Sequence, residues 1–146
     1  TLPVCCRYKN AGWNVDNFTI LARKLRERFR DYLLFITFGK EEEKEGNALQ
    51  KIFNDTEGVV VKGDIPLQMW MSYMKYMSAV ISIDSGAVHL AASWKVPSVV
   101  LYPKDIYELC RREWTPWDVP CRQLVIKDFK ETSDEIIVAA GELLER

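Results

Sequence analysis

The sequence has almost no charge imbalance: across 146 residues, 20 lysines and arginines face 21 aspartates and glutamates. A surface that grips a nucleic-acid backbone needs a strong basic excess, so that class of partner is excluded. One histidine and four cysteines (Cys5, Cys6, Cys110 and Cys121), none in C-x-x-C spacing, leave too few ligands for a zinc site. Long apolar runs are missing as well. The stretch around Ala79–Ser82 is broken by Lys75 and Asp84, too soon for a bilayer span. No apolar segment follows the early Arg7 and Lys9, so no secretory signal is expected. Neither G-x-G-x-x-G nor G-x-x-x-x-G-K with a following Ser or Thr occurs, so the dinucleotide-dehydrogenase and P-loop ATPase readings fail their own fingerprints. Internal repeats, low-complexity tracts and linker-like segments are absent too.

What remains is an ordinary globular composition, 48% apolar and 28% charged, at a length that fits one domain. The first residue is Thr1 and an apolar strand follows almost at once, which reads as a piece of a longer protein, or as a processed start. Cys5 and Cys6 would point to opposite faces of that strand and read as buried thiols of a reducing cytoplasm.

Short β runs alternate regularly with amphipathic helices. Strand one is expected at Pro3–Arg7. Helix one follows Asn14, a good N-cap, with Asp16 in its first turn and Phe18, Leu21, Ala22, Leu25 and Phe29 on one face. Strand two is expected at Tyr32–Phe38. Helix two begins within Glu41–Glu43 and turns Ala48, Leu49, Ile52 and Phe53 inward, with Gly46 weakening its middle. Val59–Val61 reads as strand three, Pro66 to about Met77 as helix three, Ala79–Ile83 as strand four, Ala87–Trp94 as helix four and Ser98–Tyr102 as strand five. An irregular segment, Pro103–Cys121, precedes strand six at Gln123–Ile126. The last helix is expected to open on a Thr132…Glu135 capping box. This alternation predicts an α/β fold: a three-layer, doubly wound, Rossmann-like parallel sheet of order 3-2-1-4-5-6. Ligands of such sheets sit at the switch point, so the loops after strands one and four should line the site.

After strand four come Asp84, Ser85 and Gly86, then a helix carrying His89. A helix N-terminus offers unpaired N–H groups to an anion, and glycine lets the backbone come close. In the plain structural alternative, Asp84 or Ser85 caps the helix and His89 packs on a loop. After strand one, Lys9 suits a phosphate, while Trp13 reads as a hydrophobic anchor. After strand two, Glu41–Glu43 either complement the start of helix two or supply a carboxylate to a ribose diol. Helix three is apolar nearly all round (Met69, Trp70, Met71, Tyr73, Met74, Tyr76, Met77). It reads as buried between the sheet and a further domain, or as a partner surface.

Residues 81–102 resemble the C-terminal domain of glycosyltransferase family 9, the ADP-heptose:lipopolysaccharide heptosyltransferases. The shared pattern is an apolar strand, Asp84-Ser85-Gly86, two free positions, His89-Leu90-Ala91-Ala92, a short turn, Pro97 and a second apolar strand. Elsewhere the similarity is thinner: Trp13 ahead of helix one, Gly39 with Glu42, and Trp114-Thr115-Pro116. The resemblance implies one half of a GT-B fold, with residues 1–146 as the single nucleotide-sugar-binding domain and the acceptor domain lying outside them. It implies that Asp84 hydrogen-bonds the donor sugar and that Ser85, Gly86 and His89 hold the pyrophosphate. Glu42, or Glu43 if the register slips by one, would bind the ribose, and the backbone at Ile65 would face the adenine. The family's lysine two residues before the tryptophan is Ala11 here; Lys9, two residues further back, or Arg7 would have to reach the same oxygen.

The expected activity is thus the donor-binding half of an inverting glycosyltransferase of lipopolysaccharide core synthesis. Its partners would be ADP-heptose, the N-terminal acceptor domain and the core acceptor, with no metal cofactor and no nucleic acid. The expected place is the cytoplasm, peripheral at the inner face of the bacterial inner membrane. No catalytic residue is expected within these residues, since the general base would come from the other domain, and the fragment alone would be inactive. A transferase using a UDP- or GDP-sugar, or a non-catalytic α/β binding module, is the alternative.

Overall fold

The computed structural model describes residues 1–3 and 13–145. The sequence expectations on Cys5, Cys6, Arg7, Lys9 and Ala11, and most of strand one, lie outside the described residues. The chain divides into two compact units, Thr1–Ile65 and Pro66–Arg146. All strand pairing is parallel. No helix among the described residues is long and apolar enough to cross a membrane.

In the first unit, β1 (Leu2–Pro3), β2 (Leu34–Thr37) and β3 (Val59–Lys62) form a sheet of order β1-β2-β3. Helix α1 (Val15–Arg28) starts where expected: the Asn14 side chain accepts from the Asn17 N–H at 3.0 Å. That bond satisfies one of the helix's orphan donors. Its buried stripe is Phe18, Leu21, Ala22 and Leu25, each large member contributing about 1.5–3 kcal/mol by leaving water. Trp13 is buried and meets Phe18 edge-on at 5.5 Å, so it is the hydrophobic anchor. At the other end, Arg26 donates to the carbonyls of Phe29, Arg30 and Tyr32, closing the helix with a cation where the backbone dipole is negative.

A 3-10 turn, Lys40–Glu42, leads into α2 (Glu43–Ile52). Gly46 is buried within α2 because the Phe38 ring lies against it: a Cβ there would overlap that ring, and the same ring covers Gly63. Close approach, rather than a break, explains this helical glycine. Ile52, expected inward, is 41% exposed, and Leu49 and Phe53 carry the buried face instead.

In the second unit, β4 (Val80–Ile83), β5 (Ser98–Pro103) and β6 (Cys121–Ile126) form a sheet of order β4-β5-β6. Each unit therefore has the internal strand order expected for it. Central β5 is buried from Ser98 to Tyr102, as its unbroken apolar run requires of a parallel strand covered on both faces. Helix α3 (Leu67–Met74) is shorter than expected, and Pro66 sits at its cap rather than in its first turn. Of its apolar residues only Met74 is fully buried; Leu67, Met69, Met71 and Tyr73 are exposed. Met74 packs with Val80, Ala87, Ala91 and Val96, joining α3 to β4 and α4 (Gly86–Ser93).

Two further expectations fail in this unit. The segment expected to be irregular contains α5 (Tyr107–Glu113), whose Cys110 is buried with Val88, Val100 and Tyr102. The last helix, α6 (Phe129–Leu144), begins a turn earlier than the Thr132…Glu135 box: Asp128 is its N-cap and accepts from the Glu131 N–H at 3.1 Å. Thr132 is fully buried and accepts instead from the Lys127 N–H at 2.9 Å. Ile136, Ala140 and Leu143 form the buried face of α6, while Ile137 and Leu144 are half-buried.

Candidate functional site

The turn from β4 into α4 is built by a change of pattern. Apolar Val80–Ile83 lies in the sheet, and the strand ends as the Asp84 N–H donates to the Leu101 carbonyl at 3.1 Å. Ser85 follows in extended conformation at the N-cap of α4, yet its side chain makes no capping hydrogen bond. Its hydroxyl is 3.2 Å from that of Ser82 instead. The first N–H groups of a helix have no intrahelical acceptor, so those of Gly86 and Ala87 are left to whatever approaches. Gly86 is exposed, and a Cβ added there would meet nothing within 4 Å among the described residues. The opening turn of α4 is therefore both uncapped and open, a geometry suited to an anion. The half-buried Asp84 carboxylate makes no hydrogen bond or ion pair among the described residues.

His89 is exposed on the same helix, with its ring edge-on to Trp114 at 6.4 Å. It makes no hydrogen bond among the described residues. The buried Tyr102 hydroxyl donates to the Trp114 carbonyl at 3.4 Å. Burial, and after it the nearby Asp84 carboxylate, raise the phenol's pKa and keep it protonated. Between α5 and β6 lies a cleft of about 580 Å³ lined by Arg111, Arg112, Thr115 and Gln123. Both arginines have carboxylate neighbours, Arg111 with Glu108 at 3.4 Å and Arg112 with Glu113 at 2.8 Å. Both pairs are exposed to solvent.

The first unit carries the other expected positions. Glu42 is half-buried, with its carboxylate folded over Gly39: its Oε2 is 3.5 Å from where a glycine Cβ would stand. Glu43 lines a cleft of about 510 Å³ with Gly39, Lys40, Asn47, Lys62 and Asp64, outside the carboxyl ends of β2 and β3. Ile65 is half-buried and closes the unit, after Asp64 at φ +50°.

The structure thus brings Asp84, Ser85, Gly86 and His89 together around one helical turn of the second unit, and places Glu42 and Ile65 in the first. Among the described residues no three His, Cys, Asp or Glu side chains gather as metal ligands. The sequence alternative that His89 packs on a loop is met by Trp114, though the sequence does not name that partner; the cleft beside Glu43 escaped the sequence reading altogether. Glycines at Gly39 and Gly63, each just past the end of a strand, were the available signal for that cleft.

The described residues thus form a parallel α/β structure in which α4 opens on a turn that no side chain caps. The family model for glycosyltransferase family 9 (heptosyltransferase) matches residues 3–130, and the chain belongs to that family. It is a glycosyltransferase chain, and its fold is that of a Rossmann-like half of a GT-B enzyme. The family implies a nucleotide-sugar donor and an acceptor in general terms. No curated protein and no solved structure matches the chain.

Proposed function

We propose that residues 1–146 are the donor-binding domain of an inverting glycosyltransferase, with ADP-heptose as donor and lipopolysaccharide core as acceptor. The observation that carries this reading is the first turn of α4 behind Ser85 and Gly86, which no side chain caps and no described residue obstructs. There the backbone N–H groups, the Ser85 hydroxyl and His89 hold the diphosphate, with Lys9 as the further cation. Asp84 accepts from hydroxyls of the sugar. Glu42, or Glu43 from the lining of its cleft, accepts from the ribose diol, and the backbone at Ile65 meets the adenine.

In the reaction, a carboxylate of the acceptor domain takes the proton of the acceptor hydroxyl. The hydroxyl oxygen forms the new bond to the anomeric carbon while the bond from that carbon to the diphosphate oxygen breaks. Negative charge grows on the departing diphosphate, where donors already in place stabilise it without reorganising. This domain alone binds donor and transfers nothing. It works in the cytoplasm, peripheral at the inner face of the bacterial inner membrane.

Calorimetric titration of the intact protein with ADP-, UDP- and GDP-sugars tests the reading. The expected result is preference for the ADP-sugar, and loss of nucleotide-sugar binding in Asp84→Ala with an unchanged melting temperature. Preference for a uridine or guanosine donor removes the heptose assignment, and a fall in stability alone makes Asp84 a structural residue.

A further inference from the structure

The tryptophan that closes α5 reaches the histidine of α4. Their rings meet edge to face at 6.4 Å and 63°, within the range where aromatic pairs attract through the positive edge and negative face. The backbone of Trp114 is fixed on both sides: its main-chain N–H donates to the Cys110 carbonyl at 2.8 Å, and its main-chain carbonyl accepts from the buried Tyr102 hydroxyl at 3.4 Å. Next to it, the Thr115 hydroxyl accepts from the Gln123 amide at 2.7 Å and donates to the Arg111 carbonyl. Further along, Asp118 pairs with Lys95, which lies 5.6 Å from the ring of Trp117, so the loop after α5 is also fastened at the far end of α4. Trp114 itself is 54% exposed. Such a side chain adds little to the core, and what it does touch is the ring of His89.

We propose that Trp114 is a positioning residue for His89, holding the imidazole in one orientation on α4 so that it meets a diphosphate already ordered. An exposed histidine without such a neighbour samples several rotamers and must lose that freedom on binding. The proposal rests on the donor reading above, which places the diphosphate at the start of the same helix.

The test uses the intact protein with Trp114→Ala, Trp114→Phe and His89→Ala, inorganic-salt-matched ADP titrations by calorimetry, and the His89 ring protons by NMR. In the wild type those protons carry a ring-current shift that Trp114→Ala removes and Trp114→Phe largely keeps. Trp114→Ala weakens ADP binding by about three- to tenfold, the size of one aromatic pair, while Trp114→Phe restores most of it. Combined with His89→Ala, Trp114→Ala has no further effect, and the melting temperature stays put throughout. ADP binding by Trp114→Ala equal to wild type, or equally weakened when His89 is already alanine, overturns the proposal and leaves the donor reading intact. A wild type that does not bind ADP overturns the donor reading first, and the proposal with it.

Discussion

The hydroxyl of Ser85 bonds with that of Ser82, 3.2 Å away, and not with the helix it precedes. In the same chain Asp128 does cap its helix, accepting from the Glu131 N–H. The two positions look alike in sequence and should behave differently. Asp128→Ala should lower unfolding free energy by about 1 kcal/mol, the ordinary worth of an N-cap. Ser85→Ala should cost only a fraction of that while weakening nucleotide-sugar binding. Urea titrations of both variants, read beside donor calorimetry, make the comparison. An equal loss of stability from both would show Ser85 to be a cap.

Phe38 and Gly46 form a matched pair, ring against bare backbone. Alanine is the better helix former, yet Gly46→Ala should destabilise by about 1–3 kcal/mol, because overpacking outweighs propensity. In a Phe38→Ala background the same change should be tolerated, since the ring is gone. A double-mutant cycle measured by denaturant unfolding gives the coupling directly. Simple additivity of the two changes would contradict the packing described.

Lys95 adopts φ +59° just beyond α4, where its N–H and that of Val96 close the helix on Ala92 and Ala91. Its ammonium hydrogen-bonds Asp118 and holds that carboxyl below its ordinary value of 3.8. The sign follows from linkage: a depressed carboxyl pKa contributes stability above pH 3.8 that is lost as pH falls through the folded value. Both groups are well exposed, so the contribution is small. Carboxyl NMR titration should find Asp118 ionised below pH 3.8 in the wild type and shifted upward in Lys95→Met. An unmoved midpoint would mean that the pair does not persist in solution.

How much could be read beforehand depends on how local the signal is. Helix α1 was legible because its cap, its acidic first turn and its apolar stripe all lie within one stretch. Helix α5 was not: seven residues long, with Cys110 its one buried residue, it leaves no period to find. The start of α6 is ambiguous in sequence because Asp128 and Thr132 are both capping residues one turn apart, and only the three-dimensional position of the Lys127 N–H shows which job Thr132 has. The Asp84-Ser85-Gly86 turn could be located from strand–helix alternation alone. The meeting of Trp114 with His89 depends on how α5 returns past α4, and no window of sequence contains both.

The central claim is that the first turn of α4 stands open because a diphosphate docks there. Gly86→Ala tests it most directly, since among the described residues the added carbon meets no atom within 4 Å and therefore bears mainly on what approaches the turn from outside. The account predicts an unchanged or slightly raised melting temperature, as alanine favours a helix, together with ADP-sugar affinity reduced about tenfold or more. Affinity equal to wild type in Gly86→Ala, measured by calorimetry on the intact protein, would contradict it.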